Sequence, residues 1–208
     1  MIAMALASVC RLISGATVEW RCDPRADVQR IYFGNHSSHL DFIVIWSALP
    51  PGLRRCTRPV AGRDYWERSP VRRYLASEVF RAVLVDRGNG GSENAAAAAR
   101  AAIERMAQEM GRHDSLIVFP EGTRSLTGEI RPFKSGLYHL SRVRPDAELV
   151  PVHLENLNRI LPKGESLPVP MLSRVIFGPR LLTRMDEPKD DFLARAREAL
   201  RRTGQPND

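Results

Sequence analysis

Short apolar runs, each breaking into a polar loop before a stretch of helical spacing, recur from Arg30 onward, and no feature of the chain restricts its fold more. Arg30 to Phe33, a piece beginning at Val60, Ala82 to Val85, Leu116 to Phe119, Leu149 to Leu154 and Arg174 to Phe177 read as strands. Helices are expected between them: about His39 to Leu49, closed by Pro50 and Pro51, then around Tyr65 to Phe80. A third is capped by Ser92, with Ile103, Met106 and Met110 on one face and Gly111 as its stop. Ser135 to Val143 can form another, and the arginine-rich stretch Asp190 to Arg202 reads as a solvated helix. This alternation predicts an α/β fold, a single domain with a mixed, mostly parallel sheet flanked by helices. With 208 residues, 43% of them hydrophobic, the chain can bury one sizeable core.

The opening segment has a face of its own. Ile2, Leu6, Val9, Ile13 and Trp20 follow helical spacing while Ser8, Arg11 and Ser14 line another side, so residues 1–22 are expected to form an amphipathic helix ahead of an α/β domain at 23–208. The pattern alone fits a helix packed on the core and a helix lying in a membrane interface equally well. Arg11 interrupts the apolar run, and no stretch reaches the roughly 18 uncharged residues of a spanning helix. No positive residue precedes it, which fits a signal peptide poorly. Cys10, Cys22 and Cys56 are odd in number and lack CxxC spacing, which speaks against a disulfide framework or structural zinc and makes a reducing compartment the expectation. The 31 basic against 24 acidic residues leave a net charge of +7, which suits an anionic partner. No interleaving of aromatic and basic residues suggests a single-strand nucleic-acid groove.

In open sheets of this kind, ligands gather beyond the carboxyl ends of strands. Three polar loops fall there: Asn35 to Asp41, Asp86 to Gly91 and Glu121 to Ser125. In the first, His36 can take a proton near neutral pH, and Asp41 can fix its tautomer if His36 precedes the helix and Asp41 occupies its first turn. Asp41 also has a purely local reading, since Ser38 with an acid three residues later resembles a capping box. His36, His39 and Asp41 could instead be three metal ligands, but the remaining histidines are scattered and no carboxylate motif completes a site. Arg87 in the second loop and Arg124 in the third, followed by Lys134 and Gly136, could hold a phosphate.

Taken in order, Asn35, His36, four residues and Asp41, then Val85 to Arg87, then Phe119 to Ser125 (FPEGTRS), then Val150 to Val152, resemble the four blocks of the glycerolipid acyltransferases that make phosphatidic acid. The resemblance implies that His36 is a general base, Asp41 its partner, and Arg87 with Glu121, Gly122, Thr123 and Arg124 the holders of the acceptor's phosphate. Lys134 and Gly136 would join them in binding substrate, and Val150 to Val152 would shape the acyl-binding wall. It also implies an acyl thioester co-substrate, on coenzyme A or acyl carrier protein, and a lysophospholipid acceptor, 1-acylglycerol 3-phosphate being favoured over glycerol 3-phosphate or another lysophospholipid. Neither a bound cofactor, a metal nor a nucleic acid is implied. Members are membrane-associated, often through an N-terminal helix in one leaflet, so a place on the cytoplasmic face of the cell membrane is expected. A metal-dependent hydrolase and a non-catalytic lipid- or nucleic-acid-binding module are the rivals from other classes.

Overall fold

Ile31 and Phe33 pack into one hydrophobic cluster and Tyr32 into another, all three without exposure, as side chains alternating across a strand covered on both faces must. They belong to β2 (Arg30–Gly34), near the middle of the sheet. The computed structural model describes residues 2–24, 28–38, 40–86, 92–125, 127–156, 173–184 and 186–206. Among these, β1 (Thr17–Trp20), β3 (Thr57–Gly62), β4 (Val83–Val85), β5 (Ser115–Val118), β6 (Glu148–Glu155) and β7 (Arg174–Phe177) join β2 in the order β1-β7-β6-β2-β5-β3-β4. From β2 to β6 the pairings are parallel. Only β6 and β7 pair antiparallel, and β1 runs with β7, so the sheet is mixed and mostly parallel as expected.

One face is covered by α1 (Ile2–Ser14), α2 (Asp41–Ala48), α3 (Pro51–Arg55), α4 (Arg63–Trp66) and α5 (Pro70–Tyr74), whose Ala7, Val44, Ile45 and Trp66 join Tyr32 and Phe80 in the core. The other carries α6 (Ser92–Met110), α7 (Gly136–Val143) and α8 (Lys189–Thr203). Ile103, Met106 and Met110 do form the inner face of α6. Leu49 ends α2 at ψ 140°, the extended backbone favoured by a residue before proline.

Three expectations are corrected. The opening helix stops at Ser14, and Thr17–Trp20 is a strand of the same sheet with Trp20 stacked on Phe177 at 3.7 Å, so residue 22 is not a helix end. One face of α1 packs on the core through Ala7, and Arg11 Nε donates to Ser47 O at 2.7 Å; Met4 and Val9 remain exposed. Tyr65 to Phe80 is not one helix: Ser69 and Pro70 start a new one, capped by Ser69 Oγ accepting from Arg72 N, and a π-helical turn Leu75–Val79 follows. The arginine-rich C-terminal helix buries Phe192, Ala196 and Leu200, its charges lying on the outer face only. No described helix is long and apolar enough to cross a membrane.

Candidate active site

Phe33 pairs with Val118 of β5 and Gly34 with Val152 of β6, so the loops after β2 and β5 leave the sheet side by side. Asn35, the first residue beyond the strand, is buried. Its Nδ2 donates to Leu154 O at 2.9 Å and its Oδ1 accepts from Leu154 N at 2.8 Å, extending the pairing with β6 by one rung where the backbone has turned away.

The chain then folds back on itself within five residues. His36 Nδ1 meets Asp41 Oδ2 at 2.8 Å, and the same oxygen accepts the backbone N–H groups of Ser37 at 2.6 Å and Ser38 at 2.8 Å. The capping box does not form: α2 starts at Asp41 with Leu40 at its N-cap, and Ser38 Oγ accepts from Leu40 N at 3.3 Å. Asp41 takes the Ser38 N–H and receives the imidazole from the helix's first residue. Asp41 is fully buried and the His36 side chain is 19% exposed. A carboxylate on Nδ1 puts the ring's proton there, which leaves Nε2 as the nitrogen able to accept one.

The block Phe119 to Ser125 clamps this loop. The Phe119 ring stacks on the imidazole at 4.3 Å with 19° between planes, Ser125 N donates to His36 O at 2.7 Å, and His36 N donates to Glu121 Oε1 at 2.8 Å. Glu121 Oε2 accepts Arg131 N at 3.1 Å. Glu121 was expected to line the phosphate site; instead it is 3% exposed and both carboxylate oxygens are engaged by backbone, making it the tie between three loop segments. Burial pushes its carboxyl above the ordinary value of 4.5, the two N–H donors offsetting part of that.

This gives a testable consequence. In Glu121→Gln one of the two N–H donors must face an amide NH₂, and an orphaned buried donor costs about 1–3 kcal/mol in unfolding free energy. The raised carboxyl also means that the folded state holds this proton more tightly than the unfolded one. Wild-type stability contributed here is full below 4.5 and lost as pH rises through the higher folded value, and Glu121→Gln should flatten that portion of the pH–stability curve. Denaturant titrations of both proteins at several pH values measure the difference.

Gly122 turns the loop at φ +69°, with its N–H donating to Phe119 O at 3.0 Å and hence committed within the turn. Lys134 N donates to Pro120 O at 2.8 Å, and its side chain passes so close that a Cβ on Gly122 would lie 2.8 Å from Cδ and Cε and 2.9 Å from Nζ. Glycine is therefore needed twice at this position, for the left-handed backbone and for the lysine's path. Thr123 is exposed and Arg124 half-buried; among the described residues neither Arg124 nor Lys134 is engaged in an ion pair. Gly136 does not join them: it opens α7 and faces Ile103 of α6 at 3.8 Å, a packing position. Arg87 and His39 lie outside the described residues. Val150 and Val152 are wholly buried inside β6, so they line no acyl surface, while Pro151 borders a groove of about 890 Å³ against α8 with Trp20, Leu181 and Thr203. Among the described residues no group of three or more metal-ligating side chains forms.

A parallel-stranded core thus carries an imidazole–carboxylate pair at one strand end and, beside it, a glycine-turned loop near which Arg124 and Lys134 make no ion pair among the described residues. The acyltransferase family model matches residues 22–155, and the chain belongs to that family. It is 32% identical over 154 residues to a 1-acyl-sn-glycerol-3-phosphate acyltransferase of Limnanthes douglasii, covering 73% of this chain and 50% of that protein. With the human 1-acyl-sn-glycerol-3-phosphate acyltransferase alpha it shares 31% over 137 residues, 65% of this chain and 44% of the relative. The chain spans about a third to a half of the length of such relatives. The crystal structure of the 1-acyl-sn-glycerophosphate acyltransferase PlsC from Thermotoga maritima has the same fold, with a TM-score of 0.73 at 18% identity over all of this chain and 80% of that one.

Proposed function

We propose that the chain moves a fatty acyl group from an acyl thioester, on coenzyme A or acyl carrier protein, to the free hydroxyl of a lysophospholipid, 1-acylglycerol 3-phosphate, giving phosphatidic acid. The observation that carries this reading is the His36 Nδ1 to Asp41 Oδ2 contact of 2.8 Å, which leaves Nε2 as acceptor, with Arg124 and Lys134 of the adjoining segments in no ion pair among the described residues. His36 takes the hydroxyl proton as the oxygen attacks the thioester carbonyl. The C–S bond then breaks, and the same proton passes to the departing thiolate, so no covalent enzyme intermediate is required. Asp41 stabilises the imidazolium while it lasts.

Arg124 and Lys134, in no ion pair among the described residues, would hold the acceptor's phosphate, with Arg87 as a third on the grounds of resemblance. Each charge-assisted bond to phosphate contributes about 1.5–3 kcal/mol. Arg124→Ala and Lys134→Ala are each expected to raise the KM for a phosphorylated acceptor by about 10- to 150-fold while leaving donor KM nearly unchanged. The test is a panel of acceptors in vesicles with one labelled acyl donor, read by product mass; equal loss with a phosphate-free acceptor would remove the proposed role. The exposed Met4 and Val9 on α1 support a place against a lipid surface, where acceptor and product stay in the leaflet; the cytoplasmic side is proposed on the family resemblance alone.

A further inference from the structure

Among the described residues that hold His36, Phe119 is the one that touches the ring by its face. Its centroid lies 4.3 Å from that of the imidazole with the planes 19° apart, within the roughly 6 Å at which an aromatic face attracts a cation. The position is built rather than incidental. Phe119 Cε1 would lie 3.3 Å from a Cβ on Gly34, so the absent side chain at the end of β2 makes room for the ring. The same residue's carbonyl accepts Gly122 N at 3.0 Å, fixing its backbone to the turn. At the ring's edge Asp41 Oδ2 meets Nδ1 at 2.8 Å, so a face contact and a hydrogen bond together constrain the imidazole.

We propose that Phe119 is a positioning residue for His36, its ring face orienting the imidazole and stabilising the positive charge that the imidazole carries between proton uptake and release. Among the described residues the charged groups facing His36 are Asp41 from α2, on the ring, and Glu121 from the loop after β5, on the backbone N–H. The aromatic face adds attraction without taking a hydrogen bond, so Nε2 stays open for the acceptor hydroxyl. The inference rests on His36 acting as the base of acyl transfer.

The test replaces Phe119 in the full chain by phenylalanines bearing one, two and three ring fluorines, which drain the face of negative charge at almost constant volume, alongside Phe119→Leu and Phe119→Tyr. Two quantities are read: the protonation midpoint of His36 by NMR of isotope-labelled histidine, and kcat and KM for acyl transfer. The midpoint is expected to fall stepwise with fluorination, by a few tenths of a pH unit up to about one, with kcat falling about 3- to 30-fold and KM steady. Phe119→Leu should resemble the most fluorinated ring, and Phe119→Tyr should retain wild-type behaviour. A midpoint and a kcat that stay flat across the fluorinated series would overturn the proposal, whatever Phe119→Leu does to folding. If the wild-type chain transfers no acyl group, yet the midpoint still tracks fluorination, the charge-stabilising contact stands and the proposed function fails.

Discussion

Acyl transfer by His36→Ala is expected to fall by about 10²- to 10⁴-fold, the share that a positioned base contributes to such a reaction. The chain should meanwhile unfold at nearly the wild-type temperature. The reason lies in how His36 is held: its backbone bonds, N–H to Glu121 and carbonyl from Ser125, survive the substitution. Only a part-exposed ring and its contacts with Asp41 and Phe119 are lost. Rates with a labelled donor, measured beside a thermal melt, separate lost chemistry from lost folding. Near-normal turnover would move the base elsewhere.

Asp41 should behave differently, because one oxygen serves both the dyad and the turn. Asp41→Ala abolishes acyl transfer and also orphans the N–H groups of Ser37 and Ser38 in a buried setting, at about 1–3 kcal/mol each. Asp41→Asn divides the two effects. With its oxygen at the Oδ2 position it can keep both turn N–H groups and Nδ1–H, but the neutral amide gives the imidazolium no counter-charge, and loss of the carboxylate costs about 10⁴-fold in a comparable histidine–aspartate pair. The expected signature is an asparagine variant with most of its stability and almost none of its activity, against an alanine variant that loses both. Denaturant titration and a rate assay on the pair suffice, and equal activity of Asp41→Asn and wild type would rule out the role of the carboxylate's charge.

The central strands were readable because each holds an unbroken apolar run, such as Ile31 to Phe33 and Leu116 to Val118, and α2 and α6 because Pro50 and Gly111 end them. Thr17–Trp20 was not, since four residues carry too little pattern and their strand state depends on pairing with Arg174–Phe177, more than 150 positions away. Helical spacing from Ile2 to Trp20 was real only as far as Ser14, where Gly15 turns the chain at φ +52°. In the site, His36 and Asp41 were legible from their spacing across a helix start. Glu121 was not, because in sequence it belongs to the same loop as Arg124, and only the fold shows its carboxylate turned inward onto two backbone donors. Phe119 read as the last residue of a strand; an aromatic placed directly after one, opposite a histidine at a neighbouring strand's end, was the available signal. Gly136 carried no cue to distinguish ligand approach from helix packing.

Asn35 has an effect on the local opening of the fold. By gripping both main-chain groups of Leu154, it joins a surface loop to a central strand, and Ser125 and Lys134 fasten the adjoining loop in the same manner. Amide hydrogens of His36, Ser125, Lys134 and Leu154 each have a partner within these joined loops, and in heavy water they should outlast those of ordinary turns. The segment that most needs fixed geometry is thereby expected to open less often than the rest of the surface.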